Sequence, residues 1–335
     1  MTMVEFTGSY YSKRFLNEVA KLVEPPQLFD KGYLLRVDGT GNDNLPQKIF
    51  RVTLASADSY RIIPGTEGDS RMQTVELTDA EIDHKISRRF EAMDIMARAT
   101  ILGVNNALII SGPAGLGKSF GVERELDTAA FNDDIVSEVI KGYIRPTGLY
   151  KALYNMRAPG SVLVFDDADS VLLDDVSLNL LKGALDTTEE RWISWRSEAK
   201  LEDDEGEKIP NKFLFEGQII FITNLDFEAM IDKGAKIAPH LEALLSRSHY
   251  IDLDIKTTRE YIRRIRQVCS HGMLSKKGLN AEQENEVLEF MERHADNLRE
   301  LSLRMALKLA TMLKMDPANW QSLAELTVLK TNRKR

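Results

Sequence analysis

Cysteine is almost missing from this sequence: Cys269 stands alone among 335 residues. An intrachain disulfide is excluded, a cysteine-based metal centre has no second thiolate, and such sparing use suits a reducing compartment. Long apolar runs are missing as well. No window approaches the roughly 20 consecutive apolar residues of a membrane-spanning helix. Met1 to Tyr11 carries polar or charged residues every few positions where a signal peptide would have an apolar stretch. These absences predict a soluble, cytoplasmic protein with no membrane partner. Histidine is scarce, and His84, His240, His249, His271 and His294 lack metal-ligand spacing; no chemistry is assigned to them. Net positive charge is missing too: 44 Lys and Arg against 52 Asp and Glu leave a formal charge of -8. That argues against a surface that coats nucleic acid, although a locally basic channel would not register in the sum.

What is present is ample core material. Apolar residues make up 43% and charged residues 29%, so the chain can build one large domain or two to three smaller ones. Between Gly32 and Leu77, short β-branched and aromatic runs alternate with Asp-Gly, Gly-Asn and Pro-Gly turn signals. The runs are Tyr33 to Val37, Lys48 to Val52, Tyr60 to Ile63 and Thr74 to Leu77, and they predict a small β-rich N-terminal domain over 1–77. Thr78-Asp79-Ala80-Glu81 is a capping-box signature, followed by Ile82, Ile86, Phe90, Met93 and Met96-Ala97 at helical spacing up to Gly103. Strands then alternate with helices: strands at 107–111, 135–140, 162–165 and 218–223, with helices after Lys118, at 149–156 and at 176–185. Such alternation predicts an α/β core over 78–254, a parallel sheet with helices on both faces. After Leu253, Thr258 to Val268, Ala281 to His294, Leu298 to Leu313 and Asn319 to Leu329 read as helices. They predict a helical C-terminal lid over 255–335 that ends in a frayed basic tail, Lys330 to Arg335.

The chemistry concentrates after the first core strand. Gly112-Pro113-Ala114-Gly115-Leu116-Gly117-Lys118-Ser119 matches G-x-x-x-x-G-K-[ST] between a strand and a helix, with Phe120 next in line. Its glycines let successive backbone N–H groups and the helix N-terminus face an anion. Lys118 is placed to reach the β- and γ-phosphates of ATP, and Ser119 to ligate Mg2+. By composition the pattern arises by chance in about one such chain in a hundred, before the strand-loop-helix context is required. Val162-Leu163-Val164-Phe165-Asp166-Asp167 is an apolar strand that delivers carboxylates at its C-terminal end. Asp166 is the candidate to hold Mg2+ through a water and Asp167 the candidate to polarise the attacking water. Asp169 reads as a solvated helix-entry residue and stands in reserve for Asp167.

Read in order, these Walker A and Walker B segments and the motifs after them resemble the AAA+ family of P-loop ATPases, over roughly Thr78 to the C-terminus. The resemblance implies a sensor 1 role for Asn224, at the end of the strand Gln218 to Thr223; the alternative is a residue that caps the following turn. Leu244-Leu245-Ser246-Arg247-Ser248 resembles the segment that gives an arginine finger to the next subunit, or leaves Arg247 as a surface arginine on a helix end. Leu301-Ser302-Leu303-Arg304 resembles sensor 2, with Arg299 the alternative to Arg304. Asp167 departs from the family's usual glutamate by one methylene, which bears on hydrolysis rate rather than on ATP binding.

Arg191 to Trp195 and Lys212 to Phe215 read as a β-hairpin insertion at about 190–216 that brackets the acidic stretch Glu198 to Glu207. It resembles the presensor 1 hairpin of AAA+ rings, projecting toward a central pore; the alternative is packing on its own subunit through Trp192 and Trp195. Acidic residues at its tip make it a poor gripper of DNA. Lys141-Gly142-Tyr143-Ile144 lies where protein-unfolding members carry an aromatic pore loop, and core packing or strand termination is the reading preferred here. The resemblance implies a homo-oligomeric ring, taken as a hexamer, that hydrolyses ATP with Mg2+ to remodel a protein or nucleoprotein complex. Two alternatives use the same phosphate loop: a DNA-directed motor or loader, and a P-loop kinase or nucleotide switch. The compact AAA+ module with an unusual N-terminal domain also resembles ATPases of tailed-phage genomes, which would place it in the host cytoplasm.

Overall fold

The computed structural model describes residues 3–10, 14–29, 32–40, 45, 49–54, 59–63, 77–132, 135–196, 201–203 and 206–330. The chain separates into two compact units, Met1–Leu77 and Thr78–Arg335.

In the first unit, strands β1 (Met3–Tyr10), β2 (Arg14–Phe29), β3 (Gly32–Asp38), β4 (Ile49–Leu54) and β5 (Tyr60–Ile63) form one antiparallel sheet. β1 runs along β2 and also meets β4 at Ser9 and Thr53, so the sheet curls back on itself. Val4, Phe6, Leu35, Val37, Val52 and Leu54 point inward and make its core. In β4 the period-2 alternation of buried and exposed residues is complete. Two strands precede the first run found by sequence reading. β2 contains Pro25-Pro26, which lack the N–H groups a ladder uses; the register shifts on both sides of Glu24 accommodate them, and Arg36 pairs with Glu24 at 2.7 Å. Thr74 to Glu76, most of the fourth strand run, and Lys48 lie outside the described residues.

The second unit opens with α1 (Asp79–Ile101), whose N-cap Thr78 and Glu81 complete a reciprocal capping box. Its buried stripe Ile82, Ile86, Phe90, Met93, Ala97 and Ile101 follows the 3.6 period. Next come β6 (Ala107–Ser111), α2 (Lys118–Asn132), β7 (Val136–Lys141), α3 (Pro146–Asn155), β8 (Ser161–Asp166), α4 (Ser170–Leu173) and α5 (Asp175–Ala184). The hairpin β9 (Trp192–Ser194) and β10 (Lys212–Leu214) precedes β11 (Gln218–Thr223), α6 (Phe227–Asp232), α7 (Ala238–Leu245) and β12 (His249–Asp252). The helices α8 (Thr258–Ser270), α9 (Ala281–Arg293), α10 (Leu303–Met315) and α11 (Trp320–Val328) finish the unit.

β6, β7, β8, β11 and β12 form a parallel sheet in the order β12-β6-β11-β8-β7. β6, β8 and β11 are buried along their whole length, as strands covered on both faces must be. One face, with Leu108, Ile110, Val164 and Ile222, packs into a cluster that runs on through α1, α2 and the four C-terminal helices. The opposite face, with Ile109, Phe165 and Phe221, packs on α3, α5, α7 and the hairpin.

The hairpin packs on the α/β unit that carries it. Phe213 lies 5.1 Å from the Tyr150 ring and 5.3 Å from that of Tyr154, and Trp195 is 5.7 Å from Tyr150. Trp192 faces outward instead, with the Lys212 ammonium 4.2 Å above its ring, so Ile193, Phe213 and Trp195 anchor the hairpin and Trp192 does not. Arg191 closes its root by donating to the carbonyls of Ala184 at 3.0 Å and Gly217 at 2.8 Å. The tip continues with an antiparallel bridge between Glu202 and Lys208; residues 198–200 and 204–205 of the acidic stretch, and 331–335 of the basic tail, lie outside the described residues.

Gly217 sits where the hairpin rejoins the sheet, and a Cβ there would lie 2.3 Å from the Met156 carbonyl oxygen and 3.0 Å from that of Ser161. Gly217→Ala is expected to cost about 1–3 kcal/mol through overpacking, read as a lower urea midpoint with an unchanged m-value.

Candidate functional site

Parallel register decides which residues meet. Thr223 and Asp252 are both paired with Ser111, Ile222 is paired with Asp166, and Asp166 with Lys141. All five strands therefore end in one row at the C-terminal edge of the sheet. β11 crosses back to lie between β6 and β8, and the crevice opens where strand order reverses.

The loop from Gly112 to Gly117 leaves β6 and enters α2 at Lys118. Gly112, Gly115 and Gly117 have φ of +151°, +72° and +100°, a backbone that L side chains rarely adopt. Gly115 also has a packing reason: a Cβ there would meet Ser302 Cβ at 2.7 Å. The Leu303 N–H donates to the Gly115 carbonyl at 2.8 Å, so the start of α10 rests on the loop.

Lys118 is buried, and its ammonium donates to the carbonyls of Gly112 (2.6 Å) and Pro113 (2.9 Å) and to Asn224 Oδ1 (2.8 Å). Asn224 Nδ2 in turn donates to Asp167 Oδ1 at 2.8 Å. The candidate phosphate lysine, sensor and water-polarising carboxylate thus form one hydrogen-bonded chain. Asn224 does not act here as a cap of the following turn: the cap of α6 is Asp226, which accepts from the Ala229 N–H. Asp167 has φ +54°, a left-handed conformation that aspartate tolerates better than most residues and that concentrates at functional sites. Burial pushes the Lys118 ammonium down to about 8, against the pull of Asp167, Asp166 and Asp169.

Ser119 Oγ donates to Asp166 Oδ1 at 2.8 Å. One hydroxyl and one buried carboxylate are hard oxygen donors of the kind Mg2+ takes, with phosphate oxygens and water completing its shell. With only two protein oxygens, the donor set fits a cation shared with a phosphate ligand. Asp169 stands at the N-terminal end of α4, the helix-entry position expected, but it is half-buried and accepts from Thr223 Oγ1 at 2.6 Å rather than being solvated. Burial raises the Asp169 carboxyl pKa, opposed by that hydrogen bond.

A cavity of about 180 Å3 is lined by Ala114, Gly115, Gly117, Lys118, Ser119, Phe120, Asp167, Asn224, Leu303, Arg304 and Leu307. Arg304 lines it from the first turn of α10 and has no hydrogen bond or ion pair among the described residues. Arg299 is held elsewhere: its N–H and Nε donate to the carbonyls of Val328 and Leu329. Between the two sensor 2 candidates, geometry favours Arg304. Arg247 is not among the lining residues; its guanidinium folds back on the end of α7, donating to the Ala243 carbonyl at 2.9 Å while Nε is buried without a partner. Tyr143 is 77% exposed, so core packing is corrected, whereas β7 does end at Lys141 and turns at Gly142, φ +86°.

Two participants escaped sequence reading. Lys141 reaches Asp166 Oδ2 at 3.1 Å. Arg264 of α8 lies 3.3 Å above the Phe90 ring and donates to the Leu116 carbonyl at 3.3 Å; burial pushes its pKa down to about 10. Arg264 stands beside Arg263 on an amphipathic helix and reads as part of a solvated charged face; only the partner Phe90, 174 positions earlier, gives it another role.

Sheet order, phosphate loop and helical lid define the fold as that of an AAA+ P-loop ATPase. No protein-family profile matches the chain. It is 38% identical over 255 residues to an uncharacterised 36.7 kDa protein from the nrdC-mobD intergenic region of Enterobacteria phage T4, covering 76% of this chain and 78% of that protein. The chain belongs to the family of that phage protein. Among solved structures, NtrX from Brucella abortus in complex with ATP aligns at TM-score 0.39 and 14% identity over 73% of this chain, which spans about half (54%) of that protein's length. Drosophila ORC bound to DNA aligns at TM-score 0.39 and 12% identity, covering 78% of this chain and 70% of that one.

Because the Lys118 pKa falls from 10.5 to about 8 on folding, the unfolded chain binds more protons between those values, and stability rises with pH there. Wild type is expected to gain about 3 kcal/mol relative to Lys118→Met between pH 8 and 10.5. Urea denaturation of both proteins across that range checks it.

Proposed function

We propose that this protein is an ATP hydrolase of the AAA+ type, acting as a homo-oligomeric ring that remodels a protein or nucleoprotein complex. The observation that carries the reading is the hydrogen-bonded chain Lys118–Asn224–Asp167 beside the Ser119–Asp166 pair, in one cavity that also includes Arg304. Backbone N–H groups of the loop and the Lys118 ammonium would hold the β- and γ-phosphates. Ser119 and Asp166 would hold Mg2+, which when bound neutralises charge developing on the phosphoryl oxygens. Asp167 would accept the proton of the attacking water, and Asn224, already bonded to both Asp167 and Lys118, would keep that carboxylate aimed at the phosphate. Arg304 would supply positive charge from the lid side.

A ring is supported by Arg247, which is absent from its own subunit's cavity and is a candidate to complete a neighbour's. The phage relative supports a place in the cytoplasm of an infected bacterium. A remodelling role is supported by Tyr143, largely exposed on a short loop one strand away from the site.

Lys118→Ala is expected to abolish nucleotide binding, whereas Asp167→Asn keeps binding and loses at least about a hundredfold in turnover, the scale of general-base loss; normal hydrolysis by both would overturn the site. Mixing Arg247→Ala with Lys118→Ala subunits should restore activity, and no rescue at any ratio removes the shared site. Steady-state hydrolysis over a protein concentration series, with and without single- and double-stranded DNA, tests the remainder. Cooperative, DNA-independent activity is expected. Several-fold stimulation by DNA would favour a DNA-directed motor, and concentration-independent turnover a monomeric kinase-like site.

A further inference from the structure

Asp166 is the most enclosed carboxylate of the site, its side chain 6% exposed. One oxygen accepts from Ser119, and the other lies 3.1 Å from the Lys141 ammonium. A buried carboxylate needs a countercharge, and Lys118 does not supply it by contact, since its ammonium is committed to two carbonyls and Asn224. The contact is built into the sheet: Lys141 and Asp166 are register partners at the ends of β7 and β8, and residues paired in this way project to the same face. The ammonium also has a second acceptor, Glu123 Oε1 of α2 at 3.0 Å, where both side chains are about half exposed. It can therefore leave Asp166 without losing its only partner.

We infer that Lys141 is a resident cation for the metal-binding carboxylate, competing with Mg2+ for Asp166 and retreating to Glu123 when the metal arrives. The inference rests on the nucleotide-site reading above. Mg2+ held with Ser119 would approach on the Oδ1 side while the ammonium holds Oδ2; two cations on one buried carboxylate repel, so the ammonium opposes the metal, and its retreat lowers the apparent metal affinity by the strength of the ion pair. Lys141 is a positioning residue: it sets the state of Asp166 and touches no reacting atom. Because Gly142 and the exposed Tyr143 follow it directly, the exchange also links occupancy of the metal position to the loop before α3.

The test is a Mg2+ titration of fluorescent ADP binding, which reads binding and not turnover, with the metal-free level set by chelator. Lys141→Met keeps the length of the side chain and removes the charge; its Mg2+ midpoint is expected to fall about fivefold, the scale of a partly exposed ion pair, with chelated binding unchanged. Glu123→Gln removes the retreat and is expected to raise the midpoint. A midpoint unchanged in both variants, or raised in Lys141→Met, overturns the competition while leaving nucleotide binding standing. Failure of wild type to bind nucleotide at any Mg2+ concentration overturns the site reading, and this inference with it. If Lys141→Met does not fold, the Glu123→Gln shift decides alone: a rise supports the exchange, and no change overturns it.

Discussion

A positive charge held out of water at the head of α2 is the constraint around which the second unit is arranged. An ammonium in that position is costly unless oxygens surround it. The loop from Gly112 turns two carbonyls inward toward it, and β11 extends far enough to bring Asn224 to the third direction. Each of these demands propagates. Inward-turned carbonyls require the positive-φ glycines, and Asn224 requires that β11 lie beside β6 rather than at an edge. The carboxylates Asp166, Asp167 and Asp169 gather within electrostatic reach of the same ammonium. The site is thus an arrangement of opposed charges.

The lid helices are part of that arrangement. Ser302 caps α10 and packs against Gly115, Leu303 bonds to the same residue, and Arg264 lies between Phe90 and the Leu116 carbonyl. Sheet and C-terminal helices share one continuous apolar cluster. A rotation of these helices would therefore be felt at the phosphate loop, through the Leu303–Gly115 backbone bond and the Ser302 packing as well as through the Arg264 side chain.

The parts legible in sequence are those governed by local rules. α1 announces itself through its capping box and apolar stripe, and β6 and β11 fall where unbroken apolar runs sit between turn residues. The P-loop is legible because its geometry needs glycine at fixed offsets. Where tertiary context decides, local rules fail. β2 carries two prolines through bulges. Leu298 has helical spacing to the residues after it but bridges Leu329, so α10 starts only at Leu303, after the Ser302 cap. α7 is too short for its periodicity to register. In the site, Asp166 and Asp167 could be read from one strand, whereas Lys141 could not: its nearness to Asp166 follows from the alignment of β7 against β8, which no spacing encodes. Thr223 and Asp169 meet for the same reason, across β11 and the turn after β8.

Arg191 ties the two ends of the insertion together, one guanidinium spanning the carbonyls of Ala184 before it and Gly217 after it. A loop sewn shut at its base exerts no leverage on the framework that carries it. Residues of the tip, between Trp195 and the buried Ile209, can lengthen, shorten or change sign without disturbing the alignment of β11, and hence of Asn224. The tip is thus where relatives of this chain can differ in length and charge while the sheet edge that carries Asn224 stays the same.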